Sequence, residues 1–115
     1  MAAKPLEARV HYRLDAAIIG LYGDIDAFAK DALNAAYAEA ENKNPPTILL
    51  DCGGVDYINS IGIALIVSLL AQARKSGRRL LACGLSDHYL EIFQITRLAD
   101  FITIFPNETS ALQGL

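Results

Sequence analysis

The chain has 115 residues, 53% of them hydrophobic and 20% charged, and carries a formal net charge of -3. That length fits one domain spanning residues 1–115, the composition is too apolar for disorder, and the acidic balance argues against a nucleic-acid binder that must neutralise many phosphates. Two cysteines, Cys52 and Cys83, are too few for a disulfide framework and lack zinc-site spacing, so both read as packing residues, with no metal or cofactor expected.

From Ala8 to Leu14 the pattern predicts a first strand, and the more apolar Ala16–Gly23 predicts a second. Asp15 leaves room only for a tight connection, so the two should form an antiparallel hairpin. Asp24 or Asp26 can cap a helix in which Phe28, Ala32, Ala35 and Ala36 recur at helical spacing, ending near Asn42. Asn44-Pro45-Pro46 stops that helix, Thr47–Cys52 follows as a short strand apolar on both faces, and Gly53-Gly54 predicts a turn.

A helix begins near Ser60, runs to about Ser76 and ends at Gly77; Arg79–Cys83 returns as a strand. Ser86 or Asp87 can cap a further helix with Leu90, Phe93 and Arg97 on neighbouring turns. Phe101–Phe105 reads as the last strand, and Asn107 opens a short helix through Leu112. After the hairpin, helices alternate with strands, which predicts an α/β domain with a mixed, mainly parallel five-stranded sheet and flanking helices.

The stretch Met1–Glu7 holds one basic residue and no apolar core of a secretory signal. The longest apolar run, Ile61–Ala73, is interrupted by Gly62, Ser68 and Gln72 and is shorter than the roughly 20 residues that span a bilayer. A cytoplasmic location without membrane insertion is the expectation. Arg74, Lys75, Arg78 and Arg79 straddle the end of the central helix, where cations complement its dipole.

Loops that follow parallel strands gather along one edge of an α/β sheet, the usual place for ligands and partners. Asp24 and Asp26 should follow the second strand, Asp51 and Asp56 the third, and Ser86 and Asp87 the fourth, with Ser60 opening the intervening helix. A hydroxyl at the first turn of a helix can cap it or carry a phosphate, because the amides there are unpaired and the dipole is positive. Neither Ser60 with Ile63 nor Asn59 with Gly62 completes a capping box. Ser86-Asp87-His88 holds the three residue types of a hydrolytic triad, but contiguous side chains at a helix start diverge. Gly53-Gly54 and Gly20-x-x-Gly23 lack the Lys-Ser/Thr of a phosphate-binding loop.

The run Ile48-Leu49-Leu50-Asp51-Cys52-Gly53-Gly54-Val55-Asp56-Tyr57-Ile58-Asn59-Ser60-Ile61-Gly62-Ile63 resembles the STAS family, which includes bacterial anti-sigma factor antagonists. In that family an apolar strand ending in Asp leads to an Asp-Ser-Ser/Thr-Gly-Leu-like turn opening a buried helix. Gly23-Asp24-Ile25-Asp26 resembles the family's Gly-Glu-Leu-Asp, Gly77–Ser86 its next strand and loop, and Phe93–Phe101 its passage from helix into Gly-Leu. The order and spacing of these blocks cover most of the chain.

The resemblance implies a binding module, not an enzyme. In antagonist members the first serine of the turn is phosphorylated by a serine kinase that doubles as an anti-sigma factor; the matching position is Ser60. Gly62 matches the glycine of the turn and Asp26 a partner-contacting aspartate. The unphosphorylated form would capture the kinase and free its sigma factor, and a phosphoserine phosphatase would reset the switch. Asp24, Asp26, Asp56, Asn59, Ser60, Ile61 and Gly62 are the expected partner-binding residues. Asn59 stands where an aspartate is usual, which removes a charge but keeps capping ability, and Ile61 leaves Ser60 as the only acceptor in the turn. Two other readings are a constitutive STAS subunit of a signalling scaffold or membrane transporter, and a nucleotide sensor using the same edge.

Overall fold

A five-stranded mixed sheet organises the computed structural model, which describes residues 4–113. Met1–Ala3, part of the stretch read for a secretory signal, and the last two positions of the 1–115 span lie outside the described residues. Strands β1 (Glu7–Arg13), β2 (Ala16–Ile25), β3 (Thr47–Ile58), β4 (Arg79–Cys83) and β5 (Thr103–Phe105) lie side by side in chain order. The β1–β2 hairpin is antiparallel and every later pairing is parallel.

Helices α1 (Lys30–Glu41), α2 (Ser60–Lys75) and α3 (Asp87–Ile95) cover one face of the sheet, and α4 (Glu108–Gln113) covers part of the other. Alternation along the strands divides the core accordingly. Ile19, Leu21, Ile48 and Leu50 pack against Leu33 and Tyr37 of α1, Ile66 and Leu69 of α2 and Phe93 of α3, while Ile18, Leu49 and Leu81 pack against Ala111 and Leu112 of α4. Central strands β2 and β3 therefore begin as continuous apolar runs, buried on both faces. Each large aliphatic side chain buried there contributes about 1.5–3 kcal/mol of transfer free energy.

Several predicted boundaries move, each for a physical reason. The strand expected to end at Gly53-Gly54 continues to Ile58, because residues Gly54–Ile58 stay in register with Tyr22–Ile25 through two irregularities in the β2–β3 ladder. Gly54 permits this: a β-carbon there would lie 2.4 Å from the Tyr22 ring, which occupies that space. Asp51 and Asp56 consequently sit inside β3 and not in a loop after it.

In the first helix the expected periodicity is out of step. Leu33, Ala36, Tyr37 and Ala40 are the buried positions of α1, whereas Phe28 lies in a 3-10 turn (Ala27–Ala29) and is 89% exposed. Near the other end, α3 stops at Ile95, and Arg97 takes a left-handed conformation (φ 65°) before a second 3-10 turn, where it pairs with Asp100 at 2.7 Å. The last strand is the short Thr103–Phe105, with Ile102 already buried ahead of it.

Candidate functional site

The carboxyl ends of β2 and β3 lie together, with Ile25 opposite Ile58, and the chain leaves them toward α1 and α2 respectively. Asn59 then closes the junction twice. Its amide donates to the Ile25 carbonyl at 3.3 Å, and its side-chain Oδ1 accepts from the Gly62 amide at 2.9 Å. Asn59 is extended (φ -98°, ψ -177°), so it, and not Ser60, is the N-cap of α2. Ser60 is the first helical residue and is exposed.

Gly62 is needed here because the helix and the strand end touch: a β-carbon at this position would come within 2.0 Å of the Ile25 carbonyl oxygen. The close approach locks the first turn of α2 against the residue preceding Asp26. Ile58 is held from the far side by Tyr89 of α3, whose hydroxyl accepts the buried Ile58 N–H at 2.9 Å. Three elements thus fix the backbone beneath Ser60.

The Gly62 amide is taken by the cap, and the Ile63 amide donates to the Asn59 carbonyl at 3.0 Å. The Ser60 and Ile61 amides remain outside the helix's own hydrogen bonding, at the positive end of a 16-residue helix. Ile61 is exposed beside Ser60, and Tyr57 is exposed three residues before it.

The carboxylates divide into three kinds. Asp26 caps the 3-10 turn, its Oδ1 accepting from the Phe28 amide at 3.0 Å, and among the described residues it makes no ion pair. Asp24 and Asp56 do not form a bare acidic edge: the Lys4 backbone N–H donates to Asp24 Oδ2 at 3.0 Å, and Lys4 Nζ lies 3.4 Å from Asp56 Oδ2. Asp51 is away from this surface, bonded to the Gly53 amide at 3.0 Å and beside Gly84. Nothing in the order of residues marked Lys4, because its partners lie 20 and 52 positions along the chain.

Other reactive groups are engaged elsewhere. Burial pushes the Cys52 thiol up to about 12, and burial with the neighbouring Asp51 carboxylate does the same for Cys83, so neither is a thiolate at neutral pH. Ser86 caps α3 by accepting from the Tyr89 amide, and the His88 ring stands edge-on to Tyr89. Among the described residues no group of three His, Cys, Asp or Glu is placed to hold a metal ion, and no helix is long and apolar enough to cross a membrane.

The strand carried by bulged pairing into a capped, apolar helix, with an exposed serine at the junction, lies within residues 6–111, the span matched by the STAS domain model. The chain belongs to the STAS family. It is 30% identical over 95 residues to BtrV of Bordetella bronchiseptica, a protein assigned as an anti-sigma factor antagonist, spanning 82% of this chain and 79% of that one. Its fold matches that of the Bacillus cell fate determinant SpoIIAA, solved in the phosphorylated form, with a TM-score of 0.70 at 18% identity over 92% of this chain and 96% of the other. It also matches a sulfate transporter family protein from Wolinella succinogenes, with a TM-score of 0.77 at 20% identity over 88% and 84% of the two chains. The same fold thus occurs in a protein called a cell fate determinant and in one called a sulfate transporter family protein, so the fold alone does not assign a function.

Proposed function

We propose that this STAS protein is a cytoplasmic anti-sigma factor antagonist that switches partners through phosphorylation of Ser60. The unmodified form binds a serine kinase that is also an anti-sigma factor and so releases the sigma factor. The observation that carries this reading is the division of labour at the junction. Asn59 takes the cap, which frees the exposed Ser60 hydroxyl at the positive end of α2. The antagonist assignment of BtrV and the phosphorylated form of SpoIIAA support it.

In the transfer step Ser60 Oγ forms the new bond to the γ-phosphorus of ATP, the bond from that phosphorus to the β–γ bridging oxygen breaks, ADP leaves, and the hydroxyl proton passes to a kinase base. A phosphatase returns the hydroxyl by hydrolysis, releasing inorganic phosphate. The product carries about -1.5 to -2 charges at neutral pH, and the α2 N-terminus stabilises it by up to about 1 kcal/mol, so the domain stays folded when modified. The modification acts at the surface, through charge and hydration beside Asp26, Tyr57 and Ile61.

The test is mass spectrometry of the protein after incubation with ATP and a serine kinase of the anti-sigma factor type from the same organism. Phosphate on Ser60 is the expected result. An unmodified Ser60 would remove the switching proposal and leave the constitutive interaction subunit, the reading that the transporter relative favours.

A further inference from the structure

Phe28 is the most exposed large hydrophobic residue among those described, at 89%, although its neighbours Ile25 and Ala29 are buried. The fold does not use its ring for packing, and the 3-10 turn that presents it packs against α2. Scattered surface hydrophobics need no explanation, but here three large ones are carried by the segments that meet at the Ser60 junction. Tyr57 is 51% exposed just before the cap, Ile61 is 49% exposed just after Ser60, and Phe28 lies three residues beyond the Ile25 carbonyl that underlies the same turn.

The charges around this group differ in kind. Lys4 already occupies Asp24 and Asp56, whereas Asp26 is without a cation among the described residues. Asp26 also accepts from the Phe28 amide, which fixes the carboxylate to the backbone of the residue bearing the ring. A pre-positioned aromatic knob beside an unpaired carboxylate matches the pattern of interface hot spots, in which an aromatic anchor fills a pocket and a polar rim excludes water.

We infer that Phe28 is the principal anchor of the partner contact. It seats in an apolar pocket on the kinase, with Tyr57 and Ile61 closing around it and a kinase arginine or lysine at the pocket rim meeting Asp26. The inference rests on the proposed function and adds to it the anchor and the surface chemistry of the partner. Phosphate on Ser60 then opposes binding by keeping this cluster hydrated, since a dianion beside Ile61 retains its water shell.

The experiment measures affinity for the kinase by titration calorimetry, using the wild type, Phe28→Ala and Leu14→Ala. Leu14 is also exposed, but it lies at the opposite end of β2. Phe28→Ala should lower affinity about thirtyfold, equivalent to about 2 kcal/mol, with an unchanged melting temperature because the ring is almost wholly exposed. Leu14→Ala should bind as the wild type does. A Phe28→Ala loss below about tenfold, with the wild type binding, would overturn the anchor and leave the proposed function standing. A wild type that does not bind the kinase would overturn both.

Discussion

Gly62→Ala should destabilise the protein, against the usual rule for helices. In an exposed helix this change gains about 1 kcal/mol, because alanine restricts the unfolded chain and favours the helical backbone. Here the added methyl would stand 2.0 Å from the Ile25 carbonyl oxygen and 2.8 Å from its carbon, with Ile25 Cγ2 at 3.0 Å. The contact is with backbone at the end of a central strand, so no side-chain rotation relieves it. The first turn of α2 must move off β2, stretching the bond from the Asn59 amide to Ile25, already 3.3 Å long. Overpacking costs about 1–3 kcal/mol, and contact with backbone places this case in the upper part of that range, about 2–3 kcal/mol. With the helical gain of about 1 kcal/mol subtracted, the net loss should be about 1–2 kcal/mol. Urea denaturation measures it directly. At temperatures where the variant remains folded, its Ser60 should also be phosphorylated more slowly, because the turn that carries it is no longer held against Ile25. A Gly62→Ala protein as stable as the wild type, or more so, would refute the close-packed junction.

Other consequences concern the cap and the terminal helix. Asn59→Asp should leave stability within about 0.5 kcal/mol, since aspartate caps as well as asparagine, while changing the rate at which Ser60 is phosphorylated; equal rates would show that the charge next to the acceptor is incidental. Asn59→Ala, which deletes the cap, should cost about 1 kcal/mol in the same urea assay. Glu108 ties α4 to β1: burial acts to raise its pKa, but hydrogen bonds and charge from Arg13 and His11 outweigh this and hold it below the usual 4.5. A depressed carboxylate contributes stability that is present above 4.5 and is lost as pH falls through the lowered value, so Glu108→Gln should flatten the acid side of the stability profile. Parallel acid profiles for the two proteins would show that the pair contributes nothing.

Much of this architecture was legible because it is written in short-range patterns. The apolar runs of β2, β3 and β4, the Gly77 stop after α2 and the Ser86 cap each depend on residues close in sequence. Long-range contacts account for the rest. Gly53-Gly54 has the composition of a turn, yet pairing with Tyr22–Ile25 holds β3 extended past it, and the Tyr22 ring together with the Leu21 carbonyl oxygen explains why Gly54 lacks a side chain. Phe28 matched the helical spacing of an alanine-rich segment, but Asp26 diverts the chain into a 3-10 turn and shifts the buried stripe to Leu33, Ala36, Tyr37 and Ala40. At the site, Asn59 and Ser60 are both competent caps, and backbone geometry decides between them. Lys4 turned an expected acidic edge into a bridged pair and left Asp26 without an ion pair among the described residues.

The central claim is that the state of Ser60 sets affinity for the kinase. The most direct measurement is the dissociation constant of that kinase for the unmodified protein and for the same protein phosphorylated on Ser60. A loss of roughly 3 kcal/mol, more than a hundredfold in affinity, is the expected result. Equal dissociation constants for the two forms would contradict the account.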